Sequence, residues 1–211
     1  MLTHYLTVKT AGSHEIIIHK SRFIAHVNRA ETEEKAQAFI QSIKKEHWNA
    51  THNCSAYLIG DNDQIQKAND DGEPGGTAGV PMLEVLKKRG LKDTVVVVTR
   101  YFGGIKLGSG GLIRAYGRAA SEGIDAVGAV ERRLMNIVEI SIDYTWLGKL
   151  ENELRNQKFQ VKDIRYSDVV KIEVYVESEK TGQFSDLITE LTNGQADISY
   201  GPRVYLEIDV N

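Results

Sequence analysis

The sequence has few of the residues that constrain a chain covalently or locally, with one cysteine, Cys54, and three prolines in 211 residues. A single cysteine excludes an internal disulfide framework and is typical of a reducing compartment. No apolar run approaches the roughly 18 residues that a membrane-spanning helix needs. The first residues also lack the charged start and apolar stretch of a signal peptide. We therefore expect a soluble, cytoplasmic protein of one or two domains that does not enter a membrane.

A strong charge of either sign is also lacking, because 26 Lys and Arg face 29 Asp and Glu, a formal net charge of −3. The charge is unevenly divided along the chain. Residues 1–128 hold 16 basic and 14 acidic side chains, whereas residues 129–211 hold 10 and 15. A polyanion would therefore meet the first part of the chain, since the second part would repel it.

Hydrophobic periodicity predicts a domain over residues 129–211 with the order strand–helix–strand–strand–helix–strand. Apolar and polar residues alternate in its strands, and apolar residues recur at helical spacing in its helices. The predicted segments in chain order are residues 138–144, 147–154, 159–166, 170–177, 184–191 and 204–210. This order is that of a ferredoxin-like domain. Its outward residues are mostly acidic, and we interpret it as a structural or protein-docking module.

The pattern over residues 1–128 predicts a second α+β domain. The expected strands lie within residues 2–28, 54–59 and 95–98, and the expected helices cover residues 32–47, a short segment from Pro81, and residues 110–127. Residues 95–98 are four consecutive valines, a run typical of a strand buried on both faces. Twelve of the 19 glycines fall between Gly72 and Gly123.

Two glycine clusters flank the valine strand and carry the candidate site. A glycine loop that leads into a helix presents free N–H groups and the positive end of the helix, which together attract anions. Cations and aromatic rings beside such a loop are typical of phosphate and unpaired-base binding. The candidate nucleic-acid or phosphate-binding residues are Arg100, Tyr101, Phe102, Gly103, Gly104, Lys106, Gly108, Gly110, Gly111, Arg114 and Arg118. The second glycine loop contributes Asp70, Asp71, Gly72, Glu73, Gly75, Gly76 and Thr77.

Several alternatives stay open at this level. The glycines can serve tight turns alone, with Arg100 or Arg114 paired to an acidic residue of the other loop. The Walker, dinucleotide-binding, serine-elbow and zinc-protease patterns are absent from the sequence. His47, His52 and Cys54 form an incomplete zinc pattern, and turn chemistry explains the Asp residues near 61–73 that might otherwise hold magnesium. We predict no metal, no cofactor and no catalytic residue.

The strongest motif is Val95–Gly108, VVVVTRYFGGIKLG, which closely resembles the signature of the Impact family. Asp70–Gly79, DDGEPGGTAG, is similar to the other glycine motif of that family. The resemblance covers about residues 15–125, and the remaining part looks like the smaller domain that bacterial members append.

The resemblance implies an α+β fold of two domains, divided at residues 1–128 and 129–211. The first would be like the second domain of a small-subunit ribosomal protein and domain IV of elongation factor G. The ferredoxin-like second domain would be like domain V of that factor. Eukaryotic relatives regulate translation, and bacterial members have been considered nucleic-acid binders without an established reaction.

We therefore expect a non-enzymatic, translation-linked regulatory protein that binds RNA or the ribosome through the basic glycine-loop surface. One alternative is an adaptor that docks a protein partner through the acidic second domain. The other is a phosphate- or nucleotide-dependent enzyme, with Asp70, Asp71 or Glu73 as base or magnesium ligand.

Overall fold

The computed structural model describes residues 1–210, which divide into two compact units. The first unit holds residues 5–131 together with Met1 and the segment from Ile208. The second holds Leu2–His4 and Arg132–Glu207. The chain is thus a mixed α and β protein of two domains, as the sequence predicts.

The first unit is built on a five-stranded sheet. In chain order its strands are β2 (Gly12–Ile18), β3 (Ser21–Arg29), β4 (His52–Ile59), β5 (Ile65–Asn69) and β6 (Thr94–Tyr101). Their spatial order is β2-β3-β6-β4-β5, and every pairing is antiparallel. The valine strand β6 lies at the centre, and its four valines are fully buried.

Helices cover both faces of this sheet, which explains why β6 has no polar alternation. Helix α1 (Glu33–Glu46) packs on one face, where Val95 and Val97 point. Helices α2 (Gly79–Lys88) and α3 (Gly108–Val127) pack on the other face, with Val96 and Val98. The hydroxyl of Thr32 caps α1 by accepting the N–H of Lys35, a typical helix start.

The second unit has the predicted order of elements. A long strand β7 (Ala129–Ile142) is followed by α4 (Tyr144–Asn156), β8 (Gln160–Tyr166), β9 (Val170–Glu177), α5 (Thr181–Leu191) and β10 (Asp197–Asp209). Within this unit β9 lies between β7 and β8, and β10 also pairs with β7. The first strand of the chain, β1, is His4–Val8. The alternating apolar residues of β7 and β9 and the inner sides of α4 and α5 form one core. The analogy of each domain to a translation-factor domain stays a prediction.

One expectation about the first unit is wrong. The sequence argument gives no strand at Ile65–Asn69, because that edge strand is mostly polar and exposed. No helix within residues 1–210 is both long and apolar enough to cross a membrane.

One buried histidine makes the stability of the first unit depend on pH. His26 lies on β3 opposite Val97, and its ring centroid is 4.9 Å from that of His47. Burial, and then the nearby His47, lower the pKa of His26 from 6.5 to about 4. Its Nε2 has no hydrogen-bond partner among residues 1–210.

We predict that His26 destabilises the folded chain in mild acid. Between its unfolded pKa of 6.5 and its folded pKa of about 4, the unfolded chain binds a proton that the folded chain does not. The free energy of unfolding should therefore fall by roughly 3 kcal/mol in this window and be unaffected by His26 at higher pH. Urea unfolding of His26→Gln across this range should show a flatter profile. An unchanged slope would contradict the assignment.

Candidate functional site

The first glycine cluster is closed by a side chain of its own loop. The carboxylate of Asp70 accepts backbone N–H groups from Gly76 at 2.7 Å, Ala78 at 3.0 Å and Gly79 at 2.8 Å. Burial raises the pKa of Asp70, but the three N–H donors together hold it below its ordinary value. The N-terminus of α2 therefore already carries an anion, and the cluster is not an open phosphate cradle.

The other polar groups of this loop are also engaged within the protein. The Asp71 carboxylate accepts the N–H of Asn53 at 2.7 Å and the ammonium of Lys44 at 2.6 Å. The hydroxyl of Thr77 donates to the carbonyl of Pro74 at 2.6 Å. Asp70, Asp71 and Thr77 thus shape the loop, which places Glu73 over the sheet. The turn interpretation left open by the sequence accounts for them.

Glu73 forms a buried ion pair with Arg100. The Arg100 guanidinium donates to Glu73 Oε1 at 2.6 Å, and the two side chains are 6% and 4% exposed. The hydroxyl of Tyr116 donates to the same oxygen at 2.8 Å, and burial keeps the pKa of this phenol raised. The sequence left open whether Arg100 pairs with an acidic residue of the other loop, and the structure shows this pairing below the surface.

Neighbouring residues of the signature point in different directions. Tyr101 follows Arg100 on the strand and lies on the opposite face, where its hydroxyl is 2.9 Å from His47 Nδ1. Phe102 is 47% exposed, and the Arg100 guanidinium carbon lies 5.5 Å from its ring centroid. Arg100 and Phe102 are brought together, whereas Tyr101 belongs to another cluster.

The glycines at the start of the second cluster serve chain packing. A Cβ on Gly103 would collide with the carbonyl group of Lys20, and the Gly103 N–H donates to the Ser21 hydroxyl at 3.1 Å. Lys20 and His19 form the two-residue turn between β2 and β3, both with positive φ, as type I′ hairpin turns require. This close approach fixes the turn against the signature loop.

The second half of the cluster is open. Helix α3 begins at Gly108, earlier than the sequence predicts, so Gly108, Gly110 and Gly111 form its first turn. No side chain caps this end, and its first turn has no acidic residue. The first N–H groups of a helix lack partners within the helix. In contrast with α2, the positive end of α3 is therefore available to an external anion.

Three predicted cations gather beside this helix end. Lys106, Arg114 and Arg118 line a cavity of about 350 Å³ together with His19, and we call these four residues the cationic concavity. Among residues 1–210, Lys106 and Arg114 have no hydrogen-bond or ion-pair partner, whereas Arg118 donates to Glu122 at 2.6 Å. His19 is a member that sequence reasoning missed, because only the hairpin turn brings it there.

A neighbouring cavity of about 350 Å³, which we call the His52 cavity, reaches down to the buried ion pair. Its polar lining includes His52, Glu73 and Arg100, and its apolar lining includes Phe102 and Leu112. The Nδ1 of His52 is 2.8 Å from the Asp71 carbonyl oxygen, and its Nε2 is 3.8 Å from Glu73 Oε2. Sequence reasoning missed His52 in this role, because its neighbours come from distant segments.

The residues of the zinc alternative do not meet. Within residues 1–210 there is no group of three or more His, Cys, Asp or Glu side chains with the geometry of a metal site. The Cys54 thiol is fully buried and donates to the Asp70 carbonyl at 3.0 Å. Burial raises its pKa to about 12, so it stays protonated and is a poor ligand and nucleophile.

These features define a two-domain α/β protein whose first domain has an open helix end surrounded by cations. Residues 19–124 match the Impact N-terminal domain, and residues 140–195 match a domain of unknown function, DUF1949. The chain belongs to the IMPACT family.

Bacterial relatives match nearly the whole chain. IMPACT family member YvyE of Bacillus subtilis (strain 168) is 67% identical over 211 residues, covering 100% of this chain and 97% of its own. IMPACT family member YigZ of Escherichia coli (strain K12) is 34% identical over 179 residues, or 84% and 88% of the two chains. A solved structure described as a hypothetical protein is 30% identical, with a TM-score of 0.62 and coverage of 94% and 97%.

A eukaryotic relative matches less than half of the chain. The protein IMPACT homolog of Dictyostelium discoideum is 41% identical over 93 residues, which are 42% of this chain and 26% of its own length.

We predict that Glu73 and Arg100 are energetically coupled, so that removing the cation alone destabilises the domain more than removing both charges. Arg100→Met leaves a buried carboxylate without its cation and should cost about 3–5 kcal/mol of unfolding free energy. Adding Glu73→Leu removes the unpaired charge and should recover most of that loss. Urea unfolding of both variants measures the difference, and a double variant as unstable as Arg100→Met would contradict the prediction.

Proposed function

We propose that this protein is a non-enzymatic regulator of translation that binds RNA, free or on the ribosome, through the cationic concavity. The observation that carries the proposal is the pair of unpartnered cations, Lys106 and Arg114, at the uncapped start of α3. Unpaired cations and free helix N–H groups are the means by which proteins hold phosphate oxygens.

Exposed apolar side chains lie close in sequence to Lys106 and Arg114 and favour RNA over a simple anion. Phe102 is 47%, Ile105 41% and Ile113 44% exposed. A ring beside cations provides a stacking surface for unpaired bases. Double-stranded DNA has no unpaired bases to stack there. The combination supports recognition of single-stranded or looped RNA.

The charge sets the strength of this binding. With Arg100 paired to Glu73 and Arg118 paired to Glu122, Lys106 and Arg114 supply two unpaired permanent cations. Two phosphate contacts with a single strand correspond to a slope of about −1.4 for log K against log salt. Such binding is weak and reversible, which is consistent with a regulator that associates with the translation apparatus under selected conditions.

The family supports the translational context, because the resemblance associates its eukaryotic members with control of translation. The thiol of Cys54, buried and with a pKa of about 12, supplies no nucleophile. This supports a binding role over a thiol-dependent reaction.

We predict that Arg114→Ala weakens binding to ribosomal subunits or single-stranded RNA severalfold at low salt and reduces the salt slope by about 1. Co-sedimentation and filter binding across a salt series measure both quantities. The matched control is Lys45→Ala, which removes one exposed cation from α1 on the other face of the sheet. Equal losses for the two variants, or none for Arg114→Ala, would contradict the proposed surface.

A further inference from the structure

The His52 cavity and the cationic concavity are lined by largely different residues. Arg114, Arg118 and His19 do not line it, and Phe102 and His52 do not line the concavity. The two share Lys106 and Leu107 near the start of α3. A ligand in the cavity and a phosphate chain in the concavity would therefore meet at the same helix end.

One end of the cavity has the chemistry of a phosphate site. Gly108 and Ser109, the first two residues of α3, line it together with Lys106. The helix start has no capping side chain, and its N–H groups and positive dipole favour an anionic group.

The buried end carries an incompletely satisfied cation. Arg100 lines the cavity and is 5% exposed, yet its Nε has no hydrogen-bond partner among residues 1–210. Buried polar groups in folded proteins nearly always have a partner. The unpartnered Nε is independent of the α3 end, and it leaves one hydrogen-bond donor of Arg100 unsatisfied at the cavity wall.

The side of the cavity is suited to a flat ring. The Arg100 guanidinium lies by the Phe102 ring, which stays 47% exposed and lines the cavity with Pro74 and Leu112. An aromatic ring backed by a guanidinium is a stacking platform for a nucleobase. A volume of about 350 Å³ lies in the range of small-molecule sites.

The polar wall of the cavity presents hydrogen-bond acceptors. Because His52 Nδ1 donates to the Asp71 carbonyl, the neutral ring has Nε2 as an acceptor. Glu73 Oε2, 3.8 Å from that nitrogen, is a second acceptor. Two acceptors select a ligand with N–H donors, such as the exocyclic amino group of a base.

We propose that the His52 cavity binds one nucleotide, with its phosphate at the start of α3 and its base against Phe102. This inference rests on the proposed function, since it names the nucleotide as the unit that the RNA-binding domain recognises. The nucleotide is either free or the 5′-phosphorylated end of an RNA, because both present the same phosphate and base.

The test is equilibrium dialysis of the full chain with adenosine 5′-monophosphate, and with adenosine and inorganic phosphate as partial ligands. The nucleotide should bind more tightly than either part. Phe102→Ala should weaken its binding about tenfold through lost stacking. The control variant Lys45→Ala, on the other face of the sheet, should leave nucleotide binding unchanged.

Lys106→Gln provides a second variant on an exposed side chain, and it should weaken binding of the nucleotide but not of adenosine. Melting temperatures establish that both variants are folded. A single-stranded oligonucleotide with and without a 5′-phosphate separates the two sources. Tighter binding of the phosphorylated form identifies the RNA end as the ligand, and equal binding identifies the free nucleotide. Both results support the site.

Three results would overturn the inference. They are no binding of the nucleotide, binding that Phe102→Ala leaves intact, and binding no tighter than that of inorganic phosphate. If RNA binding still depends on Arg114 in any of these cases, the cavity assignment fails while the proposed function stands. If instead the nucleotide binds tightly but no variant loses RNA binding, the proposed function is overturned.

Discussion

The buried ion pair between Glu73 and Arg100 is the interaction on which the first domain depends. It joins the loop before α2 to the end of the central strand β6, at a distance of 2.6 Å and out of solvent. Tyr116 of α3 donates to the same carboxylate, so three segments meet on one side chain. Because buried charges are stable only when paired, these segments hold a fixed arrangement, and the His52 cavity reaches down to it.

The same arrangement explains why two similar glycine clusters have different roles. Asp70 occupies the N-terminus of α2 by accepting three backbone N–H groups. The start of α3 has neither a capping side chain nor an acidic first turn. Both ends attract anions for the same reason, but only α3 leaves its end to a ligand. In this chain the glycine motif before α2 therefore has an internally satisfied helix end, and the glycine motif before α3 has an open one.

The sequence predicts the fold well where hydrophobic patterns are strong, as in the valines of β6 and the alternation of β7 and β9. It fails at β5, whose polar edge strand has no buried face. At the site, the glycines and cations were predictable as types, yet the pairing of Arg100 was not decided. Pairing depends on the distance between segments that are far apart in sequence. The positions of His19 and His52 were missed for the same reason, because tertiary contacts bring them to the cavities.

The most direct test of this account is a backbone-amide NMR titration of the protein with inorganic phosphate and then with a short 5′-phosphorylated RNA. The account predicts shifts centred on Gly108–Leu112 at the start of α3. It predicts none at Gly76–Gly79, where the N–H groups are bonded to Asp70. Shifts centred on Gly76–Gly79, or spread evenly over both clusters, would contradict the claim that only the end of α3 is open.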